Sequence, residues 1–131
     1  MEDNFKLEII SPEKIIFSDN VNMVTLPSYE GDMSILKNHI SIITFLRPGL
    51  IKVKKSDNNF EDFFVEDGTI EYFNNSLVVL STSAINVKNL SREYLDTLNT
   101  NTQNKLSDTD LTDHDRYTLN HKLDTIKEIR T

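Results

Sequence analysis

Leu26-Pro27-Ser28-Tyr29-Glu30-Gly31-Asp32-Met33-Ser34-Ile35-Leu36-Lys37-Asn38-His39-Ile40-Ser41-Ile42-Ile43-Thr44-Phe45-Leu46-Arg47-Pro48-Gly49-Leu50 is the stretch from which the fold is read. It holds a tight acidic turn at Glu30-Gly31-Asp32 and a single His39. Its apolar run Ile42, Ile43, Phe45 meets the alternating Leu50-Ile51-Lys52-Val53-Lys54 across an Arg47-Pro48-Gly49 corner. Short runs rich in β-branched and aromatic residues, broken by turn residues, predict strands. Proline presets φ and glycine accepts a positive φ, so the corner predicts a type II turn.

The same grammar extends outward. Phe5, Leu7 and Ile9 alternate with polar neighbours; Phe60 to Val65, Ile70 to Phe73 and Leu77 to Leu80 follow. Ser11-Pro12, Ser18-Asp19-Asn20 and Asp57-Asn58-Asn59 read as loops. Asp67-Gly68 and Asn74-Asn75 are pairs that tolerate left-handed hairpin turns. The expectation is an antiparallel β-sandwich of about ten short strands over residues 1–87, its strands ending near residue 84.

After Val87 the pattern becomes helical. Ser91 is placed to cap a first helix running to about Leu106, with Glu93 in the first turn, where the helix dipole favours an acid. Its apolar stripe is thin, Tyr94, Leu95, Leu98 and Leu106, and Asn99-Thr100-Asn101-Thr102 are poor helix formers. Thr112 caps a second helix in a weak capping box with Asp115. Leu119, Leu123 and Ile126 fall on one face. Residues 88–131 are therefore expected to form an antiparallel two-helix hairpin.

Composition limits the function. The chain has 131 residues, a formal charge of −7 and no cysteine. The acidity lies in the first unit: residues 1–87 hold 13 acids and 7 bases, residues 88–131 hold 8 and 7. Nucleic-acid and anionic-lipid surfaces need clustered bases, so neither is an expected partner. No apolar run approaches the ~18 residues of a spanning helix, so direct membrane insertion is not expected. The N-terminus has neither the apolar core of a secretory signal nor the Arg-rich character of a transit peptide.

No residue set makes a convincing catalyst. His39 has no serine or carboxylate at a suggestive spacing, and a surface or interface histidine is the plainer reading. Glu30 and Asp32 could share one face of an extended strand, but two acids at a loop tip are usually solvated; the third option is an exposed acidic docking turn. His114 and His121 lie too far apart for a tight metal pair, and the aspartates near them are better read as helix caps. There is no phosphate loop and no nucleophile elbow. No catalytic residue, metal or cofactor is expected.

Residues 5–86 resemble, in order, the epsilon subunit of the F-type ATP synthase, the counterpart of the mitochondrial delta subunit. The matching pieces are Leu7-Glu8-Ile9-Ile10-Ser11-Pro12-Glu13 with Phe17, the Leu26 to Asp32 loop, His39, Leu46-Arg47-Pro48-Gly49, Phe64-Val65 before Gly68, and Val78 to Ala84. The resemblance implies a non-catalytic rotor subunit of a proton-translocating complex, peripheral at the cytoplasmic face of a bacterial inner membrane. It implies a sandwich clamped on the gamma subunit, with Glu30, Gly31 and Asp32 facing the polar loops of the c-ring. Ser11 and His39 match positions near the rotor interfaces. It further implies a hairpin, with Tyr94, Leu95, Leu98, Leu119, Leu123 and Ile126 as its stripe, that folds against the sandwich or extends into the alpha/beta catalytic head to block ATP hydrolysis.

This chain departs from the family pattern in places. Ser34 stands where glycine is usual, Lys37-Asn38 replaces a Pro-Gly, and Asp67-Gly68 replaces a Gly-Gly. Some members bind ATP through an Ile-Asp-x-x-Arg-Ala motif; here Ser91 and Tyr94 occupy its Asp and Arg positions, so ATP binding by the hairpin is not expected. The rival readings are a generic β-sandwich module recognising another protein or a glycan, and a small hydrolase built on Glu30, Asp32 and His39.

Overall fold

A computed structural model describes residues 3–130; Met1, Glu2 and Thr131, the outermost positions of the two expected units, lie outside the described residues. Nine strands precede two helices: β1 Phe5–Ile10, β2 Ile15–Ser28, β3 Gly31–Ile35, β4 Ile42–Leu46, β5 Gly49–Lys55, β6 Phe60–Val65, β7 Gly68–Phe73, β8 Ser76–Leu80, β9 Ile85–Asn86, then α1 Arg92–Leu106 and α2 Asp113–Arg130. The 14-residue β2 is the corner. Its first half pairs with β1, and its second half with β3 and β5. One layer is therefore β2-β1-β8-β7-β4 and the other β3-β2-β5-β6-β9.

Alternation sets the core. Phe5, Leu7, Ile9, Ile70, Tyr72, Leu77 and Val79 point inward from the first layer, meeting Val24, Leu26, Ile35, Ile51, Val53, Phe63 and Val65 from the second. Burial of one such side chain contributes about 1.5–3 kcal/mol. Phe5 and Tyr72 meet edge to face at 5.6 Å.

Four details differ from the sequence reading. Ser18-Asp19-Asn20 lie inside β2, because they pair with Glu8, Leu7 and Lys6 of β1 respectively; a tertiary ladder overrides polar side chains. The sandwich is not wholly antiparallel, since β1 runs parallel to β8. Gly49 and Gly68 do not adopt positive φ, so neither the type II corner nor a left-handed Asp67-Gly68 turn forms. Both are instead required for close approach: a Cβ at Gly49 would lie 2.5 Å from Pro27 Cβ, and one at Gly68 2.8 Å from the Leu80 carbonyl. Asn74 and Asn75 do take the left-handed turn, at φ 51° and 62°.

The helical caps form where the sequence places them. Ser91 Oγ accepts from Tyr94 N at 3.0 Å, Thr112 Oγ1 from Asp115 N at 3.0 Å, and Thr112 N donates in turn to Asp115 Oδ2 at 3.4 Å. α1 packs on α2, and α2 packs on β5. Phe64, although on the outward face of β6 opposite Leu50, is buried and outside the main core. The hairpin thus covers the outer face of the second layer. Of the apolar stripe, Leu95 and Ile126 are buried and Leu98, Leu119 and Leu123 half-buried. Tyr94 departs from it: only its backbone N–H serves the cap, and the residue is 47% exposed.

Candidate functional site

The acidic turn is built from within. Ser28, fully buried, donates from Oγ to the Gly31 carbonyl at 2.6 Å and accepts from Glu30 N at 3.3 Å. Gly31 alone among the described glycines takes a positive φ, +121°, closing the two-residue connection between β2 and β3. Asp32 then pairs with Arg47 at 3.0 Å. The arginine is held in turn: its backbone N–H donates to the Pro27 carbonyl and Nη1 to its own neighbour's carbonyl at Pro48. The two acids are thus not equivalent. Asp32 belongs to a strand and is spoken for, whereas Glu30 sits in the turn itself, exposed and with no ion pair among the described residues.

Ser11 lies at the same end of the sandwich, one residue past the Ile10–Leu80 pair, with its Oγ closing a turn onto the Lys14 carbonyl. His39 lies at the opposite end. Its Nδ1 is 2.7 Å from the Ile40 carbonyl and its ring meets Tyr72 edge to face at 5.7 Å. The triad of Glu30, Asp32 and His39 considered from sequence is therefore split between two ends of the fold.

Sequence reasoning missed two features. One is an aromatic ladder that seats α2 on the acidic turn. Tyr29 stacks on His114 at 5.6 Å and on Tyr117 at 5.8 Å, and Tyr117 meets His121 at 4.4 Å. The Tyr117 hydroxyl donates to the Tyr29 carbonyl at 3.4 Å. The signal was present in the i, i+3, i+7 spacing of 114, 117 and 121, but nothing local identifies Tyr29 as the partner. Burial, followed by the nearby Arg47 charge, pushes His121 below its ordinary value, against opposing pulls from Asp124 and Asp32. Around this seat α2 is tied by Lys122–Glu66 at 2.7 Å and Lys52–Glu128 at 3.1 Å, and α1 to α2 by Asp96–Arg130 at 3.0 Å. The exposed Lys52–Glu128 pair contributes at most about 1 kcal/mol, whereas Lys122 is largely buried in its pair with Glu66.

The other is a bare apolar face. On the outer side of the first layer Ile43, Phe45, Phe73 and Leu80 are 71%, 61%, 64% and 52% exposed. At its end an open cleft of about 710 Å³ lies between Ile10, Ser11, Phe45, Thr69 and Leu80. The alternation that buries Leu46, Ile70 and Val79 forces these neighbours outward. Solvated antiparallel faces normally carry polar residues there, so these four exposed apolar side chains set this face apart. No helix among the described residues is long and apolar enough to cross a membrane.

Comparison with known proteins adds an independent line. A family model described as "ATP synthase, Delta/Epsilon chain, beta-sandwich domain" matches residues 4–87. The ATP synthase epsilon chain of Pelagibacter ubique is 40% identical over 130 residues, 98% of this chain and 99% of the relative. That of Rhizobium leguminosarum is 30% identical over 114 residues, 87% and 84% of the two chains. Among solved structures, a chain of the Euglena gracilis mitochondrial ATP synthase superposes with a TM-score of 0.78 at 16% identity, covering 99% of this chain and 81% of that one. A chain of the Tetrahymena thermophila ATP synthase central stalk and c-ring gives 0.64 at 13% identity, covering 96% of both. At those identities the structural matches speak for the fold.

Proposed function

The chain belongs to the delta/epsilon family of ATP synthase subunits, as an epsilon-type subunit that is not catalytic by itself, and from that premise we propose that it is the part of the rotor that clamps gamma, rests on the c-ring and carries a releasable regulatory hairpin. The observation that carries this reading is the bare apolar face of the first layer, with Ile43, Phe45, Phe73 and Leu80 each more than half exposed. Gamma is its occupant. Ser11 lines the cleft at one end of that face, and His39 lies at the other end of the sandwich against Tyr72.

Glu30 is the acid left for the polar loops of the c-ring, because Asp32 is bound to Arg47. A free carboxylate meeting basic or polar loops fixes orientation and steers assembly more than it adds affinity. The complex places the chain on the cytoplasmic face of a bacterial inner membrane, peripheral through its partners, where it couples proton flow to ATP synthesis.

The hairpin is docked in this structure. Its undocked form would extend towards the alpha/beta head and inhibit hydrolysis. Two packings of comparable free energy are needed for such a switch. The hairpin's few buried residues support that balance: Leu95, Thr102, Thr125 and Ile126. Ser91 and Tyr94 stand where the ATP-binding motif has Asp and Arg, which supports a hairpin that does not sense ATP.

The test is ATP hydrolysis by a catalytic core containing gamma, titrated with the full chain and with a version ending at Val87. Both should bind gamma, and only the full chain should inhibit. Failure of both to bind gamma would refute the docking reading; binding by both with no inhibition would leave a docking subunit and refute the regulatory hairpin.

A further inference from the structure

Strand register orders the bare face into rows, because directly paired residues project on the same side of a sheet. One row runs Ile10, Leu80, Thr69, Phe45 and frames the cleft. The next runs Glu8, Val78, Glu71, Ile43. The third holds Lys6, Ser76 and Phe73. The middle row therefore places a carboxylate on each side of Val78, two strand spacings apart, or roughly 9.5 Å between Cα atoms. Neither Glu8 nor Glu71 makes an ion pair among the described residues.

In water this arrangement is tolerable, since charges at about that distance are screened by physiological salt. Under a docked partner it is not. Covering the apolar rows removes solvent from both carboxylates, and a desolvated charge is strongly unfavourable unless a countercharge arrives with the partner. A partner offering only apolar or acidic groups at this row is selected against. We propose that the protein seated on this face presents a large apolar side chain to the cleft between Phe45, Leu80 and Ile10, and a cationic side chain one row further on, lying over Val78 between Glu8 and Glu71. Arginine fits best, because its planar guanidinium presents separate N–H edges to two carboxylates. The rows are about 7 Å apart, close to the span of i and i+2 on a strand or i and i+4 on a helix, so one segment of the partner can supply both groups.

This inference rests on the docking reading above and names the chemistry of the partner's contact. The experiment measures the Kd of the full chain for a gamma-containing catalytic core stripped of its own copy, between 50 mM and 500 mM salt. The variants are Leu80→Ser and the double variant Glu8→Gln with Glu71→Gln. Both alter exposed or half-exposed side chains, and unchanged thermal midpoints would certify their folding. Leu80→Ser should weaken binding about tenfold at every salt concentration. The double glutamine variant should weaken it about tenfold at low salt and by little at high salt, with a flatter salt dependence than the parent. If the parent binds and either variant matches it throughout, this inference is overturned while docking stands. Tighter binding by the glutamine variant would overturn it too. If the parent itself does not bind, the docking reading fails and takes the inference with it.

Discussion

The sandwich and the hairpin are held together by different means. In the sandwich, Leu7, Ile9, Val21, Val24, Leu26, Ile35, Ile51 and Val53 are completely removed from solvent. In the hairpin two of the four buried residues are threonines, Thr102 and Thr125, each returning its hydroxyl to a carbonyl four residues back, at 2.7 and 2.8 Å. Such back-bonding satisfies the hydroxyl but adds nothing between elements and slightly weakens a helix. The rest of the dock is a short aromatic ladder and partly exposed ion pairs. One region is built on a continuous apolar core; the other is a cover held by few buried residues.

The strongest way to break this contrast is to strike each core in turn. Leu26→Ala should destabilise the whole sandwich by about 2–5 kcal/mol, read as a lower urea midpoint by circular dichroism. Ile126→Ala should lose a comparable ~2–4 kcal/mol, but locally. Hydrogen exchange should quicken throughout α1 and α2 while the sandwich midpoint stays within error. A matching fall in the sandwich midpoint would mean that the two regions form one cooperative unit.

A smaller effect comes from pH. His121 sits below its ordinary value of 6.5 when docked, first because it is partly buried and then because Arg47 is near. Docking therefore favours the neutral imidazole. It should be at full strength above pH 6.5 and weaken as pH falls below that towards the docked value. Hydrogen exchange of α2 between pH 7.5 and 5.5 reads this directly, and His121→Gln should flatten the profile. An unchanged profile would place the pH sensitivity elsewhere.

The smallest effect concerns Asp62, which burial, opposed by Lys52 and aided by Glu128, holds above the ordinary carboxylate range. An acid raised in the folded state weakens that state once it ionises. Asp62→Asn should thus tighten the dock slightly at pH 7, by little because solvent screens this partly exposed side chain, and be silent at pH 3. A looser dock at pH 7 would mean that Asp62 helps to hold the hairpin through Lys52.

Period-two alternation, the Asn74-Asn75 pair and the two caps at Ser91 and Thr112 are local properties, and each is read correctly from the chain because local sterics and hydrogen bonding decide it. The glycines show the limit. Gly49 and Gly68 look like turn residues, but their neighbours Pro27 and Leu80 lie far away in sequence. Ser18-Asp19-Asn20 looks like a loop until β1 pairs with it. The acidic turn was legible as a turn; that Asp32 is taken by Arg47 and Glu30 left free was not.

Sequence alone determined a β-rich first part, a helical second part, an acidic balance and the family. Only the tertiary structure decided which of two like acids is free, which face of the first layer lies bare, and where α2 is seated. The physical reason is range. Backbone preferences act over a few residues, whereas an ion pair such as Asp32–Arg47 or a stack such as Tyr29–Tyr117 depends on chain segments that meet only after the sheets have closed.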